Sequence, residues 1–156
     1  MFEQDEYWMR KAIGAAAAAR DLEEVPVGAC LIDKDGELLA IAGNRTITDS
    51  DPTAHAEILV LREASAKIGN YRLTETTLYT TIEPCAMCAG ALVNARVERL
   101  VFGAHDIRFG AVESVFQICD TSSLNHQIDI TKGVLAEDCR KLMQDFFRAR
   151  RIVKSI

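Results

Sequence analysis

The sequence predicts an α/β fold: a three-layer α/β/α sandwich in which a central mixed five-stranded sheet carries helices on both faces. Two observations predict it. Short apolar, β-branched runs alternate along the chain with longer segments of helical spacing, a pattern that favours a sheet covered on each side. The chain has 156 residues, 49% hydrophobic and 26% charged, which suffices for one good core and is ordinary for a soluble globular protein. No repeat, low-complexity linker or Pro/Gly/Ser-rich break divides it, so residues 1–156 are expected to form a single domain.

Asp5 to Arg20 reads as a helix, with Met9, Ala12, Ile13 and Ala16 on one face. Val25 to Ile32 reads as a strand. The turn Asp33-Lys34-Asp35-Gly36 leads from it into a second strand, Glu37 to Ala42. A polar loop from Gly43 to Pro52 precedes a helix from about Ala54 to Ile68, with Asp51 or Thr53 as its cap and Gly69-Asn70 as its stop. Thr76 to Thr81 is the third strand, and Pro84 can start a helix running to about Asn94. Val97 to Phe102 is the fourth strand. After an irregular stretch come a short strand, Gln127 to Ile130, and a long helix, Val134 to Lys154.

Bulk properties narrow the setting. No apolar run approaches the ~20 residues that cross a bilayer, and the Met1–Glu6 start is acidic where a secretory leader would be basic. A cytoplasmic location, with no membrane contact, is the expectation. Five cysteines with one close pair argue against a disulfide framework and for metal or redox use of that pair. Cys30, Cys119 and Cys139 read as small core residues or inert surface thiols. The net charge of −5 disfavours non-specific coating of nucleic acid. From Arg140 to Lys154, however, six basic residues face the single acid Asp145, a tail suited to a local polyanion contact or to a helix C-terminus.

The chemistry concentrates in two motifs, His55-Ala56-Glu57 and Pro84-Cys85-Ala86-Met87-Cys88. His55, Cys85 and Cys88 offer three ligands, which leaves a tetrahedral zinc one open position for water. Cysteines at i and i+3 of a helix start share one face, and the helix N-terminus stabilises thiolates. Glu57 is then a proton carrier and not a ligand. This H-x-E…P-C-x-x-C pattern resembles that of zinc-dependent nucleobase deaminases. Other uses of the fragments stay open: a redox pair at Cys85/Cys88, or a structural zinc completed by Cys30, Cys119, Cys139, His105 or His126.

Beyond the metal motif, the chain resembles the bacterial tRNA-specific adenosine deaminases, the TadA family, over nearly its whole length. The matching segments include Glu24-Val25-Pro26-Val27-Gly28-Ala29, Gly43-Asn44-Arg45, Asp51-Pro52-Thr53-Ala54-His55-Ala56-Glu57, Glu83-Pro84-Cys85-Ala86-Met87-Cys88, Val101-Phe102-Gly103-Ala104 and Asp145-Phe146-Phe147-Arg148. The resemblance implies a cytidine-deaminase-like fold and one Zn2+ per subunit. It also implies a homodimer that converts the wobble adenosine of an arginine tRNA anticodon to inosine, with no nucleotide cofactor. Residue by residue, it implies that Asn44 reads the base, that Val27 and Ala56 frame its pocket, and that Asp106 meets a ribose 2′-hydroxyl. Arg108, Asn125, Phe147 and Arg150 would contact the anticodon stem-loop. Two points depart from the pattern: Arg108-Phe109 stands where relatives often have Lys-Thr, and Glu113 stands where they often have Gly. The competing readings are a deaminase of free guanine or cytosine, which needs no basic tail, and a zinc-stabilised RNA-binding module, which needs no Glu57.

Overall fold

The structure, a computed structural model, describes residues 2–155, with side chains as far as Ile152. Lys154, the last of the basic residues, lies outside the described side chains. The elements run α1 (Phe2–Asp21), β1 (Gly28–Ile32), β2 (Leu38–Gly43), α2 (Ala56–Ile68), β3 (Thr77–Ile82), α3 (Ala86–Asn94), β4 (Arg99–Ala104), β5 (Asp129–Lys132) and α4 (Ala136–Ser155). The five strands form one sheet in the order β2-β1-β3-β4-β5. β1 is antiparallel to both β2 and β3, whereas β3, β4 and β5 are mutually parallel. The sheet is therefore mixed, as expected.

Side chains alternate across the sheet and sort the helices into two layers. Leu31, Leu78, Leu100 and Phe102 are fully buried on the face that meets Val60, Leu61 and Ala64 of α2 and Leu92 and Val93 of α3. Cys30, Tyr79 and Val101 face the other way, onto Met9 and Ala12 of α1 and Cys139 of α4. Each buried leucine or phenylalanine contributes about 1.5–3 kcal/mol. The inner stripe of α1 is alanine over its second half, at Ala12, Ala16 and Ala19, which allows close approach: a Cβ on Gly28 of β1 would overlap the Ala12 carbonyl. Asp5 ends that stripe. It is buried, accepts from the Tyr79 hydroxyl at 2.8 Å and pairs with Arg99 at 2.6 Å, which holds α1 to β3 and β4.

Several boundaries differ from the expectation, each for a local reason. Val25 to Val27 are not strand: Pro26 has no N–H, and the Val27 N–H turns back to the Val25 carbonyl at 2.8 Å. α2 starts after His55, not at Ala54, because Asp51 caps a preceding turn through the Thr53 N–H at 2.8 Å. Neither Asp51 nor Thr53 caps the helix. Pro84 likewise precedes the helix it was expected to open, and Cys85 occupies the cap position in extended geometry. α4 starts two residues late, after Gly133 and Leu135 both take positive φ.

Candidate metal and catalytic site

The topology gathers the site at one edge of the sheet. Because β2 and β3 both run against β1, they are parallel to one another and to β4. Asn44, the Glu83-Pro84-Cys85 segment and His105-Asp106 leave the C-terminal ends of these three strands, and Val27 stands just before the antiparallel β1. Strand C-termini are where α/β sheets place ligands.

His55 and Cys85 are the cap residues of α2 and α3, both in extended geometry and neither with a side-chain cap bond. Their side chains are free to turn towards each other. The Cys85 and Cys88 sulfurs stand 3.6 and 3.4 Å from His55 Nδ1, and the three ligand atoms lie within 4.8 Å of one another. Tetrahedral zinc, with bonds of ~2.3 Å to sulfur and ~2.0–2.1 Å to nitrogen, requires S···N edges of ~3.5 Å. The set fits. Protonation fits as well. The bond from Cys88 holds the Cys85 thiol down to about 4, His55 helps, and the bond to Cys85 pushes Cys88 up. Cys85 in turn raises His55. A divalent cation would let both sulfurs ionise.

Glu57 sits in the first turn of α2, buried, and its Oε1 has no hydrogen-bond partner. Burial pushes its carboxyl up to about 7. A buried carboxylate oxygen without a partner, two residues from a candidate metal ligand, is the kind of group that marks functional sites. Asn44 is buried and accepts the Ala56 N–H at its Oδ1, 2.8 Å away. Since a backbone N–H needs an acceptor, the amide orientation is determined, and the two N–H donors of Nδ2 are turned away from that bond. Val27 and Ala56 are buried beside it in the main core.

The outer residues are placed less simply. Asp106 is half-buried, and its Oδ1 accepts the Arg108 and Phe109 N–H groups at 3.0 and 3.1 Å. It caps its own loop through Oδ1, and Oδ2 takes no part in those two bonds. Arg108 is exposed. Asn125 is exposed but occupied, accepting from Arg96 at 3.2 Å. The Arg150 guanidinium lies 4.6 Å over the Phe146 ring and reaches the Glu23 carbonyl at 3.4 Å, so it ties α4 to the turn after α1. Phe146 is buried; Phe147, edge-on to it, is 38% exposed. Glu113 presents no free anion, since His105 and Lys132 each meet one of its oxygens at 3.0 Å.

Two buried acids escaped the sequence reading. Glu24 accepts from the Ile47 N–H at 3.2 Å and from the Thr48 N–H and hydroxyl at 2.7 and 2.6 Å, fixing the loop that follows Asn44. Glu83 accepts the Asp106, Val112, Glu113 and Ser114 N–H groups at 3.1, 3.1, 2.8 and 2.9 Å, and the Ser114 hydroxyl as well. Both carboxyls are raised by burial and lowered further by these donors, ending below the usual range. Their one shared signal in the sequence is an acid close before a proline, at Glu24-Val25-Pro26 and Glu83-Pro84.

A family model described as MafB19-like deaminase matches residues 3–151. The chain belongs to this deaminase family. It is 48% identical over 154 residues to the tRNA-specific adenosine deaminase of Haemophilus influenzae, covering 99% of this chain and 89% of the relative. The protein of the same description from Bacillus subtilis is 44% identical over 148 residues, covering 95% and 91%. Among solved structures, one from work on A-to-I editing by tRNA:A34 deaminases superposes with TM-score 0.84 at 40% identity, covering 87% of this chain and 98% of that one. A guanine deaminase from Nitrosomonas europaea superposes with TM-score 0.79 at 27% identity, covering 90% and 83%.

Proposed function

We propose that this chain hydrolyses the wobble adenosine of a tRNA anticodon, that of an arginine tRNA, to inosine and ammonia. One observation carries the chemistry: the unpartnered, buried Glu57 Oε1 beside the convergent His55, Cys85 and Cys88. The relatives described as tRNA-specific adenosine deaminases, at 44–48% identity, support adenosine over the free guanine acted on by the more distant neighbour at 27%.

His55 Nδ1 and the two thiolates would hold a zinc ion. When bound, zinc lowers the pKa of a water towards ~7 and so supplies a nucleophile at neutral pH. Glu57 would take up a proton from the attacking water. Burial suits it to the task, because a carboxyl near neutrality can both accept and return a proton. It then passes the proton to a ring nitrogen of adenine and assists protonation of the departing amine. Asn44 donates its Nδ2 hydrogens to the base, held in place by the Ala56 N–H bond, while Val27 and Ala56 exclude water from the pocket walls. Asp106, Arg108, Asn125, Phe147 and Arg150 line the expected path of the anticodon stem-loop. The structure adds a second duty for Asp106, Asn125 and Arg150, each of which also braces the protein itself. The reading includes a single domain acting as a homodimer in the cytoplasm, as the family resemblance implies.

The test is incubation of the zinc-loaded protein with an arginine tRNA bearing adenosine at the wobble position, followed by nucleoside analysis. Inosine at that position, with one ammonia per inosine, is the expected result. Ammonia from free guanine or cytosine, with the tRNA unchanged, overturns the reading.

A further inference from the structure

Phe109 carries an unusual combination of exposure and constraint. Its side chain is 66% exposed, between Ile107 at 83% and the exposed Arg108. Its backbone, by contrast, is held on every side. The Asp106 carboxylate accepts the Phe109 and Arg108 N–H groups at 3.1 and 3.0 Å, and the Gly110 N–H returns to the Asp106 carbonyl at 2.8 Å. A Cβ at Gly110 would run into the Glu83 carboxyl, so the loop is pressed against that buried acid with no room for a side chain. The next residue, Ala111, donates to the Pro84 carbonyl at 2.8 Å, one residue from Cys85. The aromatic ring therefore stands on backbone fixed to the segment that carries the metal ligand.

A loose exposed phenylalanine would be an ordinary surface residue. A rigidly mounted one is a pre-organised flat apolar face, and little ordering is lost when something stacks on it. Unpaired RNA bases splayed from a loop stack on such rings, tolerating any base, and a neighbouring arginine meets the accompanying phosphate. We propose that Phe109 is a stacking platform for an unpaired nucleobase flanking the deaminated adenosine. This rests on the RNA reading above and adds a contact to it. A second copy of this chain is the competing occupant, because Ile107 and Phe116 are exposed on the same loop, Phe116 at 56%.

The experiment places 2-aminopurine at either neighbour of the target in an anticodon hairpin and titrates it with wild type, Phe109→Tyr, Phe109→Leu and Phe109→Ala. Stacking on a ring quenches the probe. The expected result is quenching at one position by wild type and Phe109→Tyr, and its loss in Phe109→Leu and Phe109→Ala. Hairpin affinity should fall about tenfold in these two, with KM raised and kcat and sedimentation unchanged. Leu keeps an apolar side chain but no ring face, so Leu behaving as wild type overturns the proposal. So does Phe109→Ala that leaves the quenching intact and instead disrupts self-association. Wild type that shows Phe109-dependent quenching but forms no inosine keeps the platform and refutes the deamination reading. A wild type that does not bind the hairpin overturns both.

Discussion

Replacing Glu83 by Gln tests whether one buried carboxylate holds the loop that carries Asp106. Oε2 accepts three backbone N–H groups, from Val112, Glu113 and Ser114, while Oε1 accepts the Asp106 N–H and the Ser114 hydroxyl. Gln supplies one oxygen, which three donors claim. Its nitrogen then faces Ser114, whose hydroxyl can rotate to accept, and Asp106, whose N–H cannot. One buried orphan N–H costs about 1–3 kcal/mol, and three bonds losing charge assistance cost about 1 kcal/mol each. The total is about 4–6 kcal/mol, on the order of 10–20 °C in Tm for a chain of this size. The pH dependence distinguishes charge from shape. The folded-state pKa of Glu83 lies below its usual 4.5, so its stabilisation is present above that value and is lost as pH falls through the lowered one. Gln does not titrate. Thermal unfolding of the zinc-loaded proteins should therefore show a wide gap between wild type and Glu83→Gln at pH 7 that narrows steadily below pH 4.5. A gap under 1 kcal/mol at pH 7, or one that persists unchanged in acid, refutes the reasoning.

The other predictions concern the reacting groups. Glu57→Ala should keep zinc, measured by metal analysis, while inosine formation drops by ~10²–10⁴-fold or more, since the residue moves protons and is not a ligand. Cys85→Ala and Cys88→Ala should instead lose the metal together with the activity; zinc loss in Glu57→Ala would place Glu57 in the coordination sphere and contradict the scheme. Asp106→Asn can keep the Oδ1 bonds to Arg108 and Phe109 while replacing Oδ2 by a donor. Activity on a DNA version of the anticodon hairpin should rise roughly tenfold relative to RNA. An unchanged ratio removes Asp106 from sugar discrimination.

What a sequence reveals is what a spacing rule or a matching motif can carry. The strand–helix alternation was enough to give the sandwich and its five strands. The convergence of His55, Cys85 and Cys88 was legible because two short motifs supply all three side chains at helix starts. Glu57 falls beside that cluster because it stands two residues from His55. Element starts were less legible: the helices open just after His55 and Cys85, later than the sequence suggested, because Asp51 bonds a turn of its own and Pro84 lies in the irregular link between β3 and α3. Those late starts are what free the His55 and Cys85 side chains for the site.

Tertiary structure decided the rest, since it depends on groups distant in sequence meeting in one place. Glu24 and Glu83 read as two ordinary acids among 23, and only folding brings backbone donors from residues 47–48 and 106–114 around them. Glu113 read as an anion beside an RNA-binding loop until the β4–β5 pairing brought Lys132 to it. The same holds for Arg150, read as an RNA contact and found braced on Phe146 and Glu23. Side-chain type and local spacing say which chemistry a residue is capable of. Whether that capacity is already occupied by the protein's own groups is a long-range fact, settled only when the chain closes on itself.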